Sequence, residues 1–136
     1  MIQVIMGLKG SGKTKKLVDS AREAVINATG DVVCIEYGKQ LTYDINYRVR
    51  LVDSKEYGIK GLDMLKGLLS GLHAGNFDIT NVCIDNLYKT SGDNRADAEA
   101  FILWAANFAE ANNMNITITV SDDVAQASEA IKPYLV

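Results

Sequence analysis

Residues 7–14, Gly7-Leu8-Lys9-Gly10-Ser11-Gly12-Lys13-Thr14, constrain this chain more than any other stretch. They fit G-x-x-x-x-G-K-[ST], with Gly7, Gly12, Lys13 and Thr14 at the fixed positions. The chemistry of a phosphate chain explains the residue types. A dense anion can be surrounded by backbone N–H groups only where no side chain intrudes. Gly7, Gly10 and Gly12 allow that approach and can take positive φ. The expected contact set is the run Gly7, Leu8, Lys9, Gly10, Ser11, Gly12, Lys13, Thr14 and Lys15. Within it, Lys13 would reach the β- and γ-phosphates of a nucleotide, and the Thr14 hydroxyl would sit on Mg²⁺.

The flanking sequence suits such a loop. Ile2-Gln3-Val4-Ile5-Met6 is a short apolar run of strand type. Leu17, Val18, Ala21, Ala24, Val25 and Ala28 recur at helical spacing, so residues 13–28 read as an amphipathic helix. A helix that starts at the loop adds its partial positive charge to the phosphate site.

At 136 residues, with 48% apolar and 23% charged side chains, the chain has the length and composition of one globular domain, 1–136. No apolar stretch is long enough to span a bilayer. The glycine loop begins at residue 7, so no leader is expected and a cytoplasmic location is. A net charge of −3 argues against a general nucleic-acid binder, though a local basic patch stays open. Cys34 and Cys83 each lie inside a strand-like run and read as buried small hydrophobes. His73, the only histidine, reads as a residue near a helix end.

Residues 29–31 form a stop-and-turn signal, and residues 32–36 read as a second strand. Residues 41–46 suggest a single helical turn. Residues 47–52 alternate as a third strand, one-sided and near the sheet edge. A helix follows over 62–75, a strand over 79–85, and a third helix from Asp93 and Ala96 onward to about residue 111. Residues 116–120 make a fifth strand, and 124–131 a short helix before Pro133. Alternating strands and helices imply an α/β chain: a three-layer αβα sandwich with a mostly parallel sheet of about five strands. The short link from strand two to strand three is the one connection at odds with a parallel crossover.

A phosphate loop needs an acid that helps hold the metal, and Asn81-Val82-Cys83-Ile84-Asp85 offers one at the end of an apolar strand. With Asp85 in place, the chain resembles the P-loop NTPases of the additional-strand class, most of all the RecA-like ATPase core. It is also similar to small bacterial ATP-binding proteins labelled twitching-motility-like. True twitching-motility ATPases resemble a larger, two-domain hexamer; their amino-terminal domain and acidic and histidine boxes are missing here, so only the core carries over. The resemblance implies ATP as the nucleotide, Lys13 and Thr14 on phosphate and Mg²⁺, and Asp85 as the second metal-site acid. Many relatives carry a catalytic glutamate directly after that aspartate, where this chain has Asn86. RecA-like relatives take it from just beyond strand two, which points to Glu36 as the base. Asp122, and behind it Asp123, follow the last strand and are the alternatives.

Arg95, at the start of the third helix, is the candidate arginine finger, in cis or toward a neighbouring copy. Tyr37, Tyr43, Tyr47 and Tyr57 lie beside Lys39, Arg48, Arg50, Lys55 and Lys60. That stretch is either a solvated edge or a stacking surface for nucleic acid or a partner. The expected function is a slow Mg²⁺-dependent ATPase whose nucleotide state controls partner or self-association. The alternatives are a nucleoside or nucleotide kinase and a non-hydrolysing switch. No Asn-Lys-x-Asp guanine motif is present, which favours adenine.

Overall fold

Five strands run in one direction, and the helices between them divide over the two faces of the sheet. The computed structural model describes residues 1–40 and 45–136. In chain order it contains β1 (Ile2–Gly7), α1 (Lys13–Asn27), β2 (Asp31–Glu36), β3 (Arg50–Asp53), α2 (Leu62–Gly75), β4 (Ile79–Ile84), α3 (Leu87–Ser91), α4 (Arg95–Ala111) and β5 (Asn115–Ser121). The strand order is β1-β5-β4-β2-β3, and every pairing is parallel.

Strands buried on both faces read as continuous apolar runs, and β2 and β5 are of that kind. Alternation sorts their side chains. Cys34 and Cys83 turn toward α1, where they pack with Leu17, Val18 and Ala21. Val33, Ile35, Val82, Ile84, Ile116 and Ile118 turn the other way and pack with Leu65 and Leu69 of α2 and Phe101, Ile102 and Ala105 of α4. The result is three layers, with one helix on one face and two long helices on the other.

The link from β2 to β3 does end in a parallel pair, with Val33 opposite Arg50 through Glu36 opposite Asp53. β3 is shorter than the alternation over 47–52 suggested, and among the described residues it pairs with β2 alone. The expected helical turn at 41–46 lies mostly outside the described residues. The third long helix opens at Arg95 rather than Asp93, because Asn94 is the cap: its side chain accepts from the Asp97 amide at 3.0 Å. Ahead of it sits α3, a five-residue helix that hydrophobic periodicity cannot register at that length. The helix expected over 124–131 is replaced by two 3₁₀ turns, Val124–Gln126 and Lys132–Tyr134. Asp123 caps the first by accepting from the Ala125 amide at 2.9 Å. At the far edge the chain end closes β1: Val136 donates its amide to the Val4 carbonyl at 3.1 Å, and Leu135 bridges Val4 in parallel. Among the described residues no helix is long and apolar enough to cross a membrane.

Candidate functional site

β1 delivers the chain to the carboxyl edge of the sheet at Gly7, and α1 begins six residues later at Lys13. The loop between them is tightly folded. A Cβ on Gly7 would collide with the Ser11 hydroxyl, while Gly10 and Gly12 take φ of +84° and +86°. Ser11 donates its amide to the Leu8 carbonyl at 3.1 Å. The Lys13 side chain folds back into this turn, 9% exposed, with Nζ 3.0 Å from the Leu8 carbonyl oxygen.

The first intrahelical bond of α1 runs from the Lys16 amide to the Gly12 carbonyl. The amides of Lys13, Thr14 and Lys15 therefore have no acceptor within the helix, and no side chain caps the end. The first turn also holds no acid, only Lys13, Lys15 and Lys16 among its charges. Cations at a helix N-terminus oppose the macrodipole, an arrangement that an anion would relieve.

Facing this loop is a cavity of about 370 Å³ lined by Lys9, Gly10, Gly12, Lys13, Thr14, Lys15, Asp85, Asn86, Thr119 and Ser121. The strand order builds it. β5 lies between β1 and β4, so its end enters between the glycine loop and Asp85. Thr119, buried on the α1 side of β5, donates its hydroxyl to Asp85 Oδ1 at 2.7 Å. The Thr119 hydroxyl oxygen in turn accepts the Asn86 amide at 2.6 Å. Asn86 is in the left-handed region, φ +52°, and turns the chain directly into α3. Thr119 was not singled out from the sequence. Its signal is the alternation Ile116-Thr117-Ile118-Thr119-Val120, which puts polar residues on one face of a buried strand.

Loop, Thr14, Asp85 and Asn86 thus share one cavity. The remaining candidates stand outside its lining. Glu36, 4% exposed, ends β2 and lines a separate pocket with Leu68 and Leu72 of α2. Asp122 and Arg95 hold each other: Arg95 Nε donates to Asp122 Oδ2 at 2.7 Å and Nη2 to Oδ1 at 3.0 Å. Tyr88 of α3 donates its hydroxyl to the same Oδ2 at 2.7 Å. These three line a separate cavity of about 170 Å³ with Ala98 and Ile102 of α4.

The Arg95 guanidinium, with the Tyr88 hydroxyl and the Asp123 amide, holds the Asp122 carboxyl down to about 2 against the opposing effect of burial. Burial, and then the bond to Asp122, pushes the Tyr88 phenol up to about 12. The two sequence-based candidates Asp122 and Arg95 are thus engaged with each other, outside the lining of the loop cavity.

Cys34 and Cys83 are buried free thiols, opposite each other on β2 and β4. A hydrogen bond with Cys83, then burial, raises the Cys34 pKa far above the usual thiol range. Such a thiol is inert. His73 lies between the rings of Phe77 and Phe108, at 5.4 and 6.1 Å. Along the tyrosine-rich stretch, Lys55 stands over the Tyr37 ring and Lys39 pairs with Glu56 at 3.6 Å; Tyr43 falls outside the described residues. Among the described residues no group of three His, Cys, Asp or Glu is gathered to hold a metal. A hydroxyl and one acid, Thr14 and Asp85, nevertheless suit Mg²⁺, which takes few protein ligands and completes its shell with phosphate oxygens and water. No protein-family model matches the chain, and no curated protein matches it.

Proposed function

We propose that the chain is a P-loop nucleotide-binding protein that takes Mg²⁺-ATP at residues 7–15 and hydrolyses it slowly. The observation that carries this reading is the cavity shared by the glycine loop, Lys13, Thr14 and Asp85. Uncapped amides and three lysines give its loop side a positive field suited to a polyphosphate. The interposed β5 agrees with the additional-strand, RecA-like class that the sequence resembles.

Each residue then has a task. Lys13 leaves the Leu8 carbonyl and meets the β- and γ-phosphates. The amides of residues 9–15 surround the phosphate chain. Thr14 and Asp85 are the residues that would hold Mg²⁺, which neutralises and orients the phosphates when bound. Thr119 fixes the orientation of Asp85 through its 2.7 Å hydrogen bond. Asn86 can hold a water but cannot accept its proton, and it lines the cavity where relatives carry an acid.

Glu36 is the base assigned here. Ile35 pairs with Ile84, and the Asp85 amide donates to the Ile35 carbonyl at 2.9 Å, so Glu36 and Asp85 hold adjacent positions on neighbouring strands. A base one strand removed from the metal-site acid accounts for slow rather than absent turnover. The bonded path from Asp85 through Thr119 and Asn86 into α3 offers the nucleotide state a route to a partner-binding surface. The test is phosphate release from Mg²⁺-ATP by wild type and by Glu36→Gln. The variant should lose at least ~100-fold in turnover, within the usual contribution of a general base, while still binding ATP. Wild-type turnover in Glu36→Gln would remove the assignment.

A further inference from the structure

We infer that the cleft at the far end of α1 from the glycine loop, against the amino ends of β1, β5 and β4, binds a neutral polyhydroxylated molecule of monosaccharide size. This site is independent of the nucleotide reading above. The cleft has a volume of about 300 Å³, at the lower end of the range for small-molecule sites. Two surfaces form it. Ser20, Glu23, Ala24 and Asn27 follow one another at helical spacing along α1, and Gln3, Asn81, Asn115 and Thr117 come from the sheet.

Strand register explains why polar side chains gather there. Gln3 stands opposite Thr117, and Thr117 opposite Cys83, which packs on the α1 side. Asn81 stands opposite Asn115, two residues earlier on each strand, so by alternation both also turn toward α1. The apolar stripe of the helix, Leu17, Val18 and Ala21, packs with Val32, Cys34 and Cys83 of β2 and β4. The amino ends of β1 and β5 instead meet the polar edge of α1, and the cleft stays open between them.

These side chains are short of partners. Thr117 is only 7% exposed, yet its hydroxyl has no hydrogen-bond partner among the described residues. The same holds for the side chains of Gln3, Ser20, Asn27 and Asn115. Asn81 accepts from the Thr80 hydroxyl at 2.9 Å and keeps both amide hydrogens free. A buried hydroxyl without a partner costs free energy that a bonded ligand recovers. The lining also selects the class of ligand. Among the described residues Glu23 is its one charged side chain, and the Met1 amino group is engaged by the Met114 carbonyl at 2.8 Å, so an anion is disfavoured. No aromatic ring lines the cleft to stack on a flat base. Carboxamides and hydroxyls reaching in from two sides match a ring that carries hydroxyls around its rim, since each of those both donates and accepts. Glu23 adds a pure acceptor.

The experiment follows the side-chain amide signals of Gln3, Asn27, Asn81 and Asn115 in proton–nitrogen correlation spectra. The probes are glucose, galactose, mannose, ribose and myo-inositol, with inorganic phosphate as the anion control. At least one polyol should shift those signals along a saturating curve, with a dissociation constant in the millimolar range or tighter, and leave the Gly10 and Gly12 amides unmoved. Phosphate should not shift the four side chains. Thr117→Val should weaken the bound polyol at least ~threefold, the loss of one hydrogen bond. Asn27→Ala, on the exposed helix surface, makes the same test where Thr117→Val does not fold. No shift with any polyol, or shifts that never saturate, would overturn the proposal and leave the cleft a solvated face. Saturation by phosphate alone, or unchanged polyol affinity in the folded variants, would overturn it as well.

Discussion

Thr119 carries two short hydrogen bonds on one hydroxyl, giving its proton to Asp85 and accepting the Asn86 amide. Thr119→Val keeps the shape but leaves the half-buried Asn86 amide without its acceptor and frees the carboxylate. The loss of stability should be about 1–3 kcal/mol, read by urea denaturation, and the Mg²⁺-dependent part of ATP affinity should fall with it. Thr119→Ser should restore both.

The Asp122 cluster has its own signature at residue scale. The folded pKa of Asp122, about 2, lies below its ordinary 3.8, so its stabilising effect is present above pH 3.8 and is lost as pH falls from there toward 2. Tyr88 has the opposite sign: its raised pKa favours the neutral phenol, a contribution present below pH 10 and lost as pH rises through about 12. Melting temperature measured between pH 4 and 2 should drop in wild type, and Asp122→Asn should flatten that drop. An unchanged slope would show that the Arg95 pair contributes nothing.

At the scale of elements, α1 carries an electrostatic conflict. It opens on glycine with three lysines and no acid in its first turn. Packing of Leu17, Val18 and Ala21 against the sheet holds the helix despite that end. Lys15→Glu should therefore stabilise the ligand-free protein by about 0.3–1 kcal/mol, because it suits the helix dipole. The same change should weaken ATP binding. A thermal melt and a titration check the two halves, and a variant that loses on both counts would remove the dipole argument. α2 and α4 differ: each carries an aspartate in the first turn, which in α4 stands beside Arg95, and α4 adds its Asn94 cap.

For the whole molecule, much was legible because the signals are periodic. The apolar runs of β1, β2, β4 and β5 and the spacing of α1, α2 and α4 needed no tertiary information. The glycine loop was legible because glycine, lysine and threonine at fixed intervals leave few alternatives. Other features arise only on folding. α3 is too short to show a period, and the chain after β5 makes a 3₁₀ turn and returns to extended backbone at Ala127 where a helix is expected from spacing. The partnership of Arg95, Tyr88 and Asp122 joins residues up to 34 positions apart, so spacing alone offered Arg95 and Asp122 as catalytic groups. Strand order decides which groups meet: β5, last in sequence, becomes the wall between Gly7 and Asp85.

The central claim is that the loop and Lys13 exist to hold a nucleotide's phosphates, and calorimetric titration of Mg²⁺-ATP into wild type and Lys13→Ala tests it most directly. Wild type should bind. Lys13→Ala should remain folded, with the same far-UV circular dichroism, and lose about 2–5 kcal/mol of affinity, the range for removing one partner of a buried charge pair. Equal affinity in the two proteins, or no heat of binding in wild type, would contradict the account.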